Sequence, residues 1–254
     1  MNNHIIRCFA LALVVLSLAA CGDDLQPTQP QDPKSTPMTF VVDYPGLTRA
    51  TATDFECNDR IGLYVADAKE PLELAGNLVN NEALTFDGNK WEASRTLYWD
   101  EGTYNAYAYY PYMQDVTSVT DQPFSVSTDQ STQKTATALG GYEASDLLFA
   151  TTKDVKASDS PVRLTFKHIM SKLKIRLIKG EDFEGDMPTT AKVYIHNTVP
   201  TATIDLQAGV ATRYVKGTRQ TIVAHQDGDT SYSAIIVPQS IESFYQEIGR
   251  AGRD

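Results

Sequence analysis

Apolar and polar residues alternate with a period of two along most of the chain, and a helical period of 3.6 is rare. This alternation is typical of strands, whose successive side chains point to opposite faces of a sheet. Segment 172–177 is the clearest example, because leucine or isoleucine alternates there with lysine or arginine. We therefore predict a strand with one buried and one solvated face, although a basic stripe of this kind can also bind an anion.

Short segments rich in β-branched and aromatic residues recur between turn residues, and we predict a strand at each of them. The turn sequence Asp87-Gly88-Asn89 lies between two such segments and predicts a β-hairpin. The polar stretch 125–141 is predicted to be a long loop. Many short strands separated by turns indicate an all-β fold built from β-sandwiches. The predicted strands cover residues 39–44, 60–65, 83–86, 90–92, 103–110, 147–151, 162–166, 172–177, 193–195, 203–206, 221–223 and 232–237.

The apolar run from Phe9 to Leu18 has the features of a secretory signal. Arg7 precedes it and small residues follow it, and its length is about half of the roughly 20 residues that a membrane-spanning helix needs. Cys21 comes directly after Leu18-Ala19-Ala20, which resembles a lipoprotein lipobox. We therefore predict that residues 1–20 are a lipoprotein signal peptide and that Cys21 is acylated, since two or three acyl chains anchor a protein firmly. An ordinary signal peptide with a chance cysteine is the alternative.

Residues 21–37 have the composition of a tether. The stretch is rich in proline and polar residues and has almost no apolar residue, so it is expected to be an extended spacer without a core. Its acidic start, Gly22-Asp23-Asp24, resembles the signal that directs some lipoproteins of gut and oral Gram-negative bacteria to the cell surface. A solvated linker with incidental charges is the alternative.

Charge and motif content argue against several classes of function. The net charge of −10 lacks the basic footprint of a nucleic-acid-binding protein. The P-loop, the nucleophile elbow, the zinc-protease motif and the paired-cysteine redox motif are all missing from the sequence. The three histidines of the body, His168, His196 and His225, lie far apart in the sequence and do not have metal-site spacing. We therefore expect no catalytic activity, no cofactor, no metal and no nucleic-acid partner.

Six motifs occur in a fixed order along the body of the chain. They are DRIGLY at 59–64, Trp91 with LYW at 97–99, YAYYP at 107–111, SDLLFA at 145–150, LTFKHIMSKL at 164–173 and YSAIIVPQ at 232–239. Their order and spacing resemble the fimbrillin (Mfa-like) family of lipoproteins, the building blocks of type V pili. The resemblance covers about residues 21–240, and the motif at 164–173 following SDLLFA is its most specific part.

This resemblance implies two tandem transthyretin-like β-sandwich domains, which we assign to residues 38–184 and 185–239. It also implies a structural and adhesive protein, exported as a surface-exposed lipoprotein of the outer membrane. Its expected partners are other pilus subunits, joined by strand exchange into a fimbrium, and a ligand on a host or bacterial surface.

The resemblance further implies a maturation step. In type V pilins an arginine-specific protease removes the first strand, and a strand of a neighbouring subunit fills the groove. Arg49 and Ala50 follow the first predicted strand and a Pro-Gly turn, so we predict cleavage between them. The alternative is that Arg49 is simply an exposed loop residue.

The aromatic residues allow a second interpretation, a surface glycan-binding lipoprotein without catalysis. In that case exposed tyrosine rings would stack on sugars from one concave patch, whereas burial of the rings would favour the pilus subunit. The tyrosines concerned are Tyr104, Tyr107, Tyr109, Tyr110 and Tyr112. Four further rings are predicted to serve packing, namely Trp91, Tyr98, Trp99 and Phe166.

Residues 240–254 lack strand alternation and differ from everything before them. Together with Gln239 they closely resemble motif VI of RecQ-type helicases, in which the arginines matching Arg250 and Arg253 face ATP phosphates. The chain has neither a P-loop nor a DExH box, so a working helicase is excluded. We therefore expect a foreign helical tail on a chimeric or truncated chain, with the second sandwich incomplete. A coincidental match within an intact fimbrillin is the alternative.

Overall fold

The computed structural model describes residues 36–44, 55–158 and 160–238, and all of these belong to one compact unit. The regular elements within these ranges are β1 (Phe40–Asp43), β2 (Arg60–Asp67), β3 (Val79–Phe86), β4 (Trp91–Ala93), β5 (Thr103–Tyr110), β6 (Gln122–Ser125), α1 (Gly141–Ser145), β7 (Leu148–Lys156), β8 (Val162–Thr165), β9 (Lys167–His168), β10 (Ser171–Arg176), β11 (Tyr194–Thr198), β12 (Thr201–Asp205), β13 (Val210–Arg213), β14 (Gln220–Val223), β15 (His225–Gly228) and β16 (Ser231–Ile236). The predicted all-β class is confirmed.

The largest sheet has six antiparallel strands in the order β4-β3-β2-β5-β7-β9. Two three-stranded antiparallel sheets have the orders β10-β16-β15 and β13-β12-β6. The pair β11-β14 is antiparallel, whereas β1 and β8 form a parallel pair. Strand β1 therefore belongs to a ladder of its own, beside the six-stranded sheet.

Both faces of the six-stranded sheet are buried at its centre. Leu63 of β2 packs in one hydrophobic core, and its neighbour Tyr64 packs in a second core on the opposite face. Tyr110 and Tyr109 of β5 divide between the two cores in the same way. Because alternate side chains of a strand point to opposite faces, a strand buried on both faces reads as a continuous apolar run. We call the core that contains Leu63 the first core and the one that contains Tyr64 the second core.

A close approach between neighbouring strands fixes the centre of this sheet. Gly62 of β2 pairs with Tyr109 of β5, and a Cβ atom at position 62 would lie 2.3 Å from the Tyr109 ring. The Tyr109 hydroxyl lies 2.5 Å from Asn81 Oδ1 and 3.1 Å from the carbonyl oxygen of Met113. Glycine at position 62 therefore makes room for a ring whose polar end is hydrogen-bonded.

The predicted hairpin is confirmed. Strands β3 and β4 pair in antiparallel register, with Phe86 opposite Trp91. Asp87 Oδ1 accepts hydrogen bonds from the backbone N–H groups of Asn89 at 2.7 Å and Lys90 at 2.8 Å. These bonds, with that from Lys90 strongest, lower the pKa of the Asp87 carboxyl. A carboxylate that caps its own turn explains why this sequence reverses the chain.

The predicted faces of segment 172–177 are confirmed along β10. Lys172, Lys174 and Arg176 are exposed, whereas Leu173 and Ile175 are half-buried, and Ile175 packs against the second core. This strand lies at the edge of its three-stranded sheet, where solvated cations on the outer face are common.

Two ladders join residues on either side of the predicted domain boundary at 184–185. Strand β10 precedes the boundary and pairs with β16, and β6 precedes it and pairs with β12. The second core likewise contains Tyr64 and Ile204 together. The assignment of 38–184 and 185–239 to separate sandwiches stays a prediction, and the predicted tail 240–254 lies outside the described residues.

Candidate functional site: the seat of the first strand

Strand β1 lies alongside β8 in parallel register, with Phe40 opposite Val162 and Asp43 opposite Thr165. The backbone N–H of Val162 donates to the carbonyl oxygen of Thr39 at 2.8 Å. At the other end, the N–H of Phe166 donates to the carbonyl oxygen of Asp43 at 3.0 Å. The predicted strand at 39–44 is thus confirmed, and one parallel ladder holds it.

The residues just before β1 pair with a second segment of the chain. The N–H of Met38 donates to the carbonyl oxygen of Leu97 at 2.8 Å, and the N–H of Trp99 donates to that of Thr36 at 2.9 Å. Pro37 and Tyr98 form an antiparallel bridge between these two bonds. Residues 36–44 therefore form one extended segment that pairs first with 97–99 and then with β8.

The inner face of this extended segment is apolar. Met38 is buried in the first core, and Phe40, Val42 and Tyr44 pack against it, whereas the intervening Val41 is 40% exposed. We call the part of the first core next to these pairings the strand seat, and its residues are Leu97, Trp99, Val162, Leu164 and Phe166. An apolar side chain at every second position is what the seat requires of any strand that fills it.

Phe55 is the first described residue after Tyr44. The Phe55 ring is surrounded by other aromatic rings. Centroid distances from Phe55 are 4.9 Å to Trp91, 5.4 Å to Tyr110 and 5.7 Å to Phe166, each with an edge-on geometry. Tyr44, at 5.1 Å, is the ring that belongs to the β1 segment. Three of these four contacts are thus independent of β1, and aromatic pairs of this geometry add roughly 0.5–1.5 kcal/mol each beyond their burial.

An ion-pair cluster holds the residues that follow Phe55. Lys134 Nζ lies 2.8 Å from Glu56 Oε2 and 3.0 Å from Asp59 Oδ1, and Asp59 is buried. Burial lowers the pKa of the Lys134 ammonium, but the hydrogen bonds and charges of the two carboxylates outweigh it, so the pKa is raised. Phe55 and Lys134 therefore fix the chain to the body after residue 54.

The predicted site residues lie on either side of the β1 segment. Cys21, the predicted lipidation site, precedes it, and Arg49 and Ala50, the predicted cleavage site, follow it before Phe55. All three lie outside the described residues, as do the predicted signal peptide and most of the tether. Acylation and cleavage stay predictions. Within the described ranges, no helix is long and apolar enough to cross a membrane.

The tyrosines proposed as a sugar platform do not form one. Tyr104, Tyr107, Tyr109 and Tyr110 are each at most 7% exposed and divide between the two cores. The fifth, Tyr112, is half-buried, and the guanidinium of Arg60 lies 4.5 Å from its ring centroid. Burial of these rings favours the pilus subunit over the glycan-binding alternative.

The packing roles of four other rings are confirmed in three cases. Trp99 and Phe166 are buried in the first core, and Trp91 packs against it. Tyr98 is 47% exposed, so the packing prediction is wrong for this ring. Its two neighbours, Leu97 and Trp99, point into the core, and the period-two alternation of an extended segment turns Tyr98 outward.

The three histidines are in separate surroundings. His168 Nδ1 lies 2.8 Å from Asp146 Oδ1, and the His168 ring meets Tyr44 edge-on at 6.1 Å. His196 contacts the Thr221 hydroxyl, and His225 lies against the Tyr142 ring. In the part of the chain that the structure describes, no three His, Cys, Asp or Glu side chains are grouped so that they could hold a metal ion.

Comparison with known proteins links the chain to fimbriae. The model of the fimbrillin-like family matches residues 48–252. A Bacteroides ovatus protein named as a fimbrium tip subunit, Fim1C, is 29% identical over 139 residues, which are 49% of this chain and 24% of that protein. The chain thus spans about a quarter of the length of this curated relative.

Two crystal structures share the fold. A Bacteroides uniformis protein described as a cell adhesion protein has a TM-score of 0.61 at 22% identity, over 84% of this chain and 77% of its own. A Bacteroides ovatus protein with the same description has a TM-score of 0.61 at 20% identity, over 81% of this chain and 79% of its own. At these identities the likeness concerns the fold.

Proposed function

The chain belongs to the fimbrillin-like family, and from this premise we propose that it is a structural and adhesive subunit of a cell-surface fimbrium. In this proposal a strand of a neighbouring subunit replaces β1 in the strand seat. The relative named as a fimbrium tip subunit and the two fold relatives described as cell adhesion proteins support a surface role.

The observation that carries the proposal is the way in which β1 is held. The segment is held by one parallel ladder to β8, one short pairing to residues 97–99, an alternating apolar face and side-chain contacts such as the Asp43–Arg163 ion pair. Any extended strand can make main-chain hydrogen bonds of this kind. The apolar pockets that receive every second side chain then set the register of the strand. A neighbour's strand with the same alternation can therefore take the place of β1.

Cleavage between Arg49 and Ala50 would separate β1 from the body. We propose this cleavage as the maturation step, because it lies between β1 and Phe55. Phe55 and the Lys134 cluster would keep the new terminus in place while β1 leaves. The resulting empty seat would expose apolar residues, which drives the uptake of a replacement strand.

We also propose that Cys21 is acylated and anchors the newly exported subunit in the outer membrane. Cleavage after Arg49 would then release the subunit from its anchor at the moment when the seat becomes free. We propose no catalytic reaction for the chain. Besides the membrane, its proposed partners are neighbouring subunits and a surface ligand.

A disulfide between β1 and β8 tests the exchange. Asp43 and Thr165 are in register, and their side-chain oxygens lie 3.3 Å apart, so cysteines at both positions are suitably placed for a bridge. Cys57 is a free, exposed cysteine and is replaced by serine to avoid wrong pairing. In this Cys57→Ser background, we expect the oxidised Asp43→Cys/Thr165→Cys variant to stay monomeric under assembly conditions. The same protein should assemble after reduction, as measured by sedimentation of polymer.

The single variant Asp43→Cys in the same background is the matched control, because it loses the same carboxylate without forming a bridge. It should assemble equally under oxidising and reducing conditions. Equal assembly of the bridged and the reduced double variant would contradict strand exchange at this seat.

A further inference from the structure

The outer face of the β1 ladder carries an ion pair between residues that are far apart in sequence. Arg163 Nη1 lies 2.7 Å from Asp43 Oδ1 and 2.6 Å from Asp43 Oδ2. The Thr165 hydroxyl donates a further hydrogen bond to Asp43 Oδ2 at 3.3 Å. The carboxylate on β1 is thus held by two side chains of β8, and both point away from the first core.

The inner face of the seat is poorly suited to choosing between strands. Its lining is apolar, so any alternating apolar strand can fill it, and apolar cores accept many side chains of suitable size. The apolar face disfavours a slip of one residue, which would turn every side chain to the opposite face, but a slip of two residues keeps the alternation. Selection therefore needs a directional contact on the outer face, and Asp43 with Arg163 is such a contact.

We propose that Arg163, assisted by the Thr165 hydroxyl, selects the incoming strand. The strand would carry a carboxylate where Asp43 now lies, with apolar residues at the positions of Phe40, Val42 and Tyr44, and would run parallel to β8. This inference rests on the proposed function, since it names the chemistry of the partner strand that enters the same seat. Because Arg163 is positively charged, the preferred occupant of the seat is a segment of a neighbouring subunit that has a carboxylate opposite Arg163 and apolar residues at alternate positions.

The exposure of Asp43 and Arg163 to solvent limits how much their ion pair contributes to strand binding. The Arg163 side chain is 65% exposed and that of Asp43 is 36% exposed, so solvent weakens their attraction. Exposed pairs of this kind change a binding constant by up to about fivefold, and like charges placed opposite each other have an effect of the opposite sign. Arg163 is therefore a residue for register and partner choice, and the apolar face supplies most of the affinity.

Strand binding to the seat can be measured with peptides. The full chain is prepared with a sequence-specific protease site in place of residues 46–51, cut there, and mixed with excess labelled peptide of residues 36–45. Fluorescence anisotropy compares this peptide with its Asp43→Lys and Asp43→Asn forms. We expect the parent protein to bind the Asp43 peptide about five- to tenfold more tightly than the Asp43→Lys peptide. In the Arg163→Glu protein this preference should reverse.

Two controls separate selection from folding. Arg176→Glu reverses a charge on the exposed face of β10, outside the seat, and should keep the preference of the parent. The uncharged Asp43→Asn peptide should bind the parent and both variants equally, which shows that the seat is intact.

The outcomes distinguish the inference from the function on which it rests. If the peptides bind but Arg163→Glu leaves their ranking unchanged, selection by Arg163 is wrong and strand exchange stands. If no peptide binds even to the parent protein, the seat does not accept an external strand, and both the proposed function and the inference are overturned.

Discussion

At the scale of single residues, two neighbouring tyrosines in the second core differ in how their hydroxyl groups are satisfied. The Tyr109 hydroxyl contacts Asn81 Oδ1 and the Met113 carbonyl oxygen. The Tyr64 hydroxyl is buried and has no hydrogen-bond partner among the described residues. Burial, followed by the charge of Tyr112, raises the pKa of Tyr64 to about 12, and burial also raises that of Tyr109. Similar burial therefore has different consequences for the two side chains.

This difference predicts opposite effects of removing each hydroxyl. Tyr109→Phe should lower the free energy of unfolding by about 0.5–1.5 kcal/mol, because it removes the hydroxyl that hydrogen-bonds to half-buried Asn81 Oδ1 and to the Met113 carbonyl oxygen. Tyr64→Phe is its matched control, since it removes a hydroxyl that has no partner, and should leave the free energy unchanged or raise it. Urea denaturation followed by circular dichroism measures both. A larger loss for Tyr64→Phe than for Tyr109→Phe would contradict this account of the second core.

At the scale of elements, most strands could be predicted because their signals are local. The run 103–110 is dense in strand-forming residues and ends before Pro111, and it coincides with β5. Asp87 caps its own turn, so the hairpin of β3 and β4 is encoded within a few residues. The polar stretch 125–141 could be predicted only as a long loop, because its function in the fold depends on contacts with strands far along the sequence.

Gln130 in that loop completes the edge of β16. Its side chain is fully buried, with Oε1 accepting from Ile235 N–H at 2.8 Å and Nε2 donating to the Ile235 carbonyl oxygen at 2.7 Å. Strand β15 reaches only as far as Ser233 along β16, so the amide of Gln130 takes over where the ladder ends. A glutamine in a polar loop gives no sequence signal of this role, because its partner is 105 residues away.

Removal of this amide should therefore be costly. Gln130→Leu keeps a similar volume but leaves two buried backbone groups of Ile235 unpaired, which should lower the free energy of unfolding by about 2–4 kcal/mol. Gln133→Leu, on an exposed side chain of the same loop, is the matched control and should change it by less than about 0.5 kcal/mol. Denaturant titration compares the two, and equal effects would show that Gln130 is not a structural substitute for a strand.

At the scale of the whole molecule, the six-stranded sheet separates two cores, and β1 completes one of them. The strand at 39–44 could be predicted because its alternation is local, and the junction Arg49–Ala50 that follows it is also visible in the sequence. The strand seat could not be predicted, because Asp43 and Arg163 are 120 residues apart and only the fold brings them together. The exposure of Tyr98 was missed for a related reason, since it depends on its neighbours Leu97 and Trp99 pointing into a core that the fold assembles from distant segments.

The central claim is that β1 occupies a seat which a neighbour's strand later fills, and mass spectrometry of assembled and unassembled protein tests it most directly. The unassembled subunit should begin at an acylated Cys21 and contain residues 36–44. Subunits from purified polymer should begin at Ala50, because cleavage after Arg49 has removed the segment that carries β1. Polymer in which every subunit still contains the sequence from Cys21 to Arg49 would contradict the account.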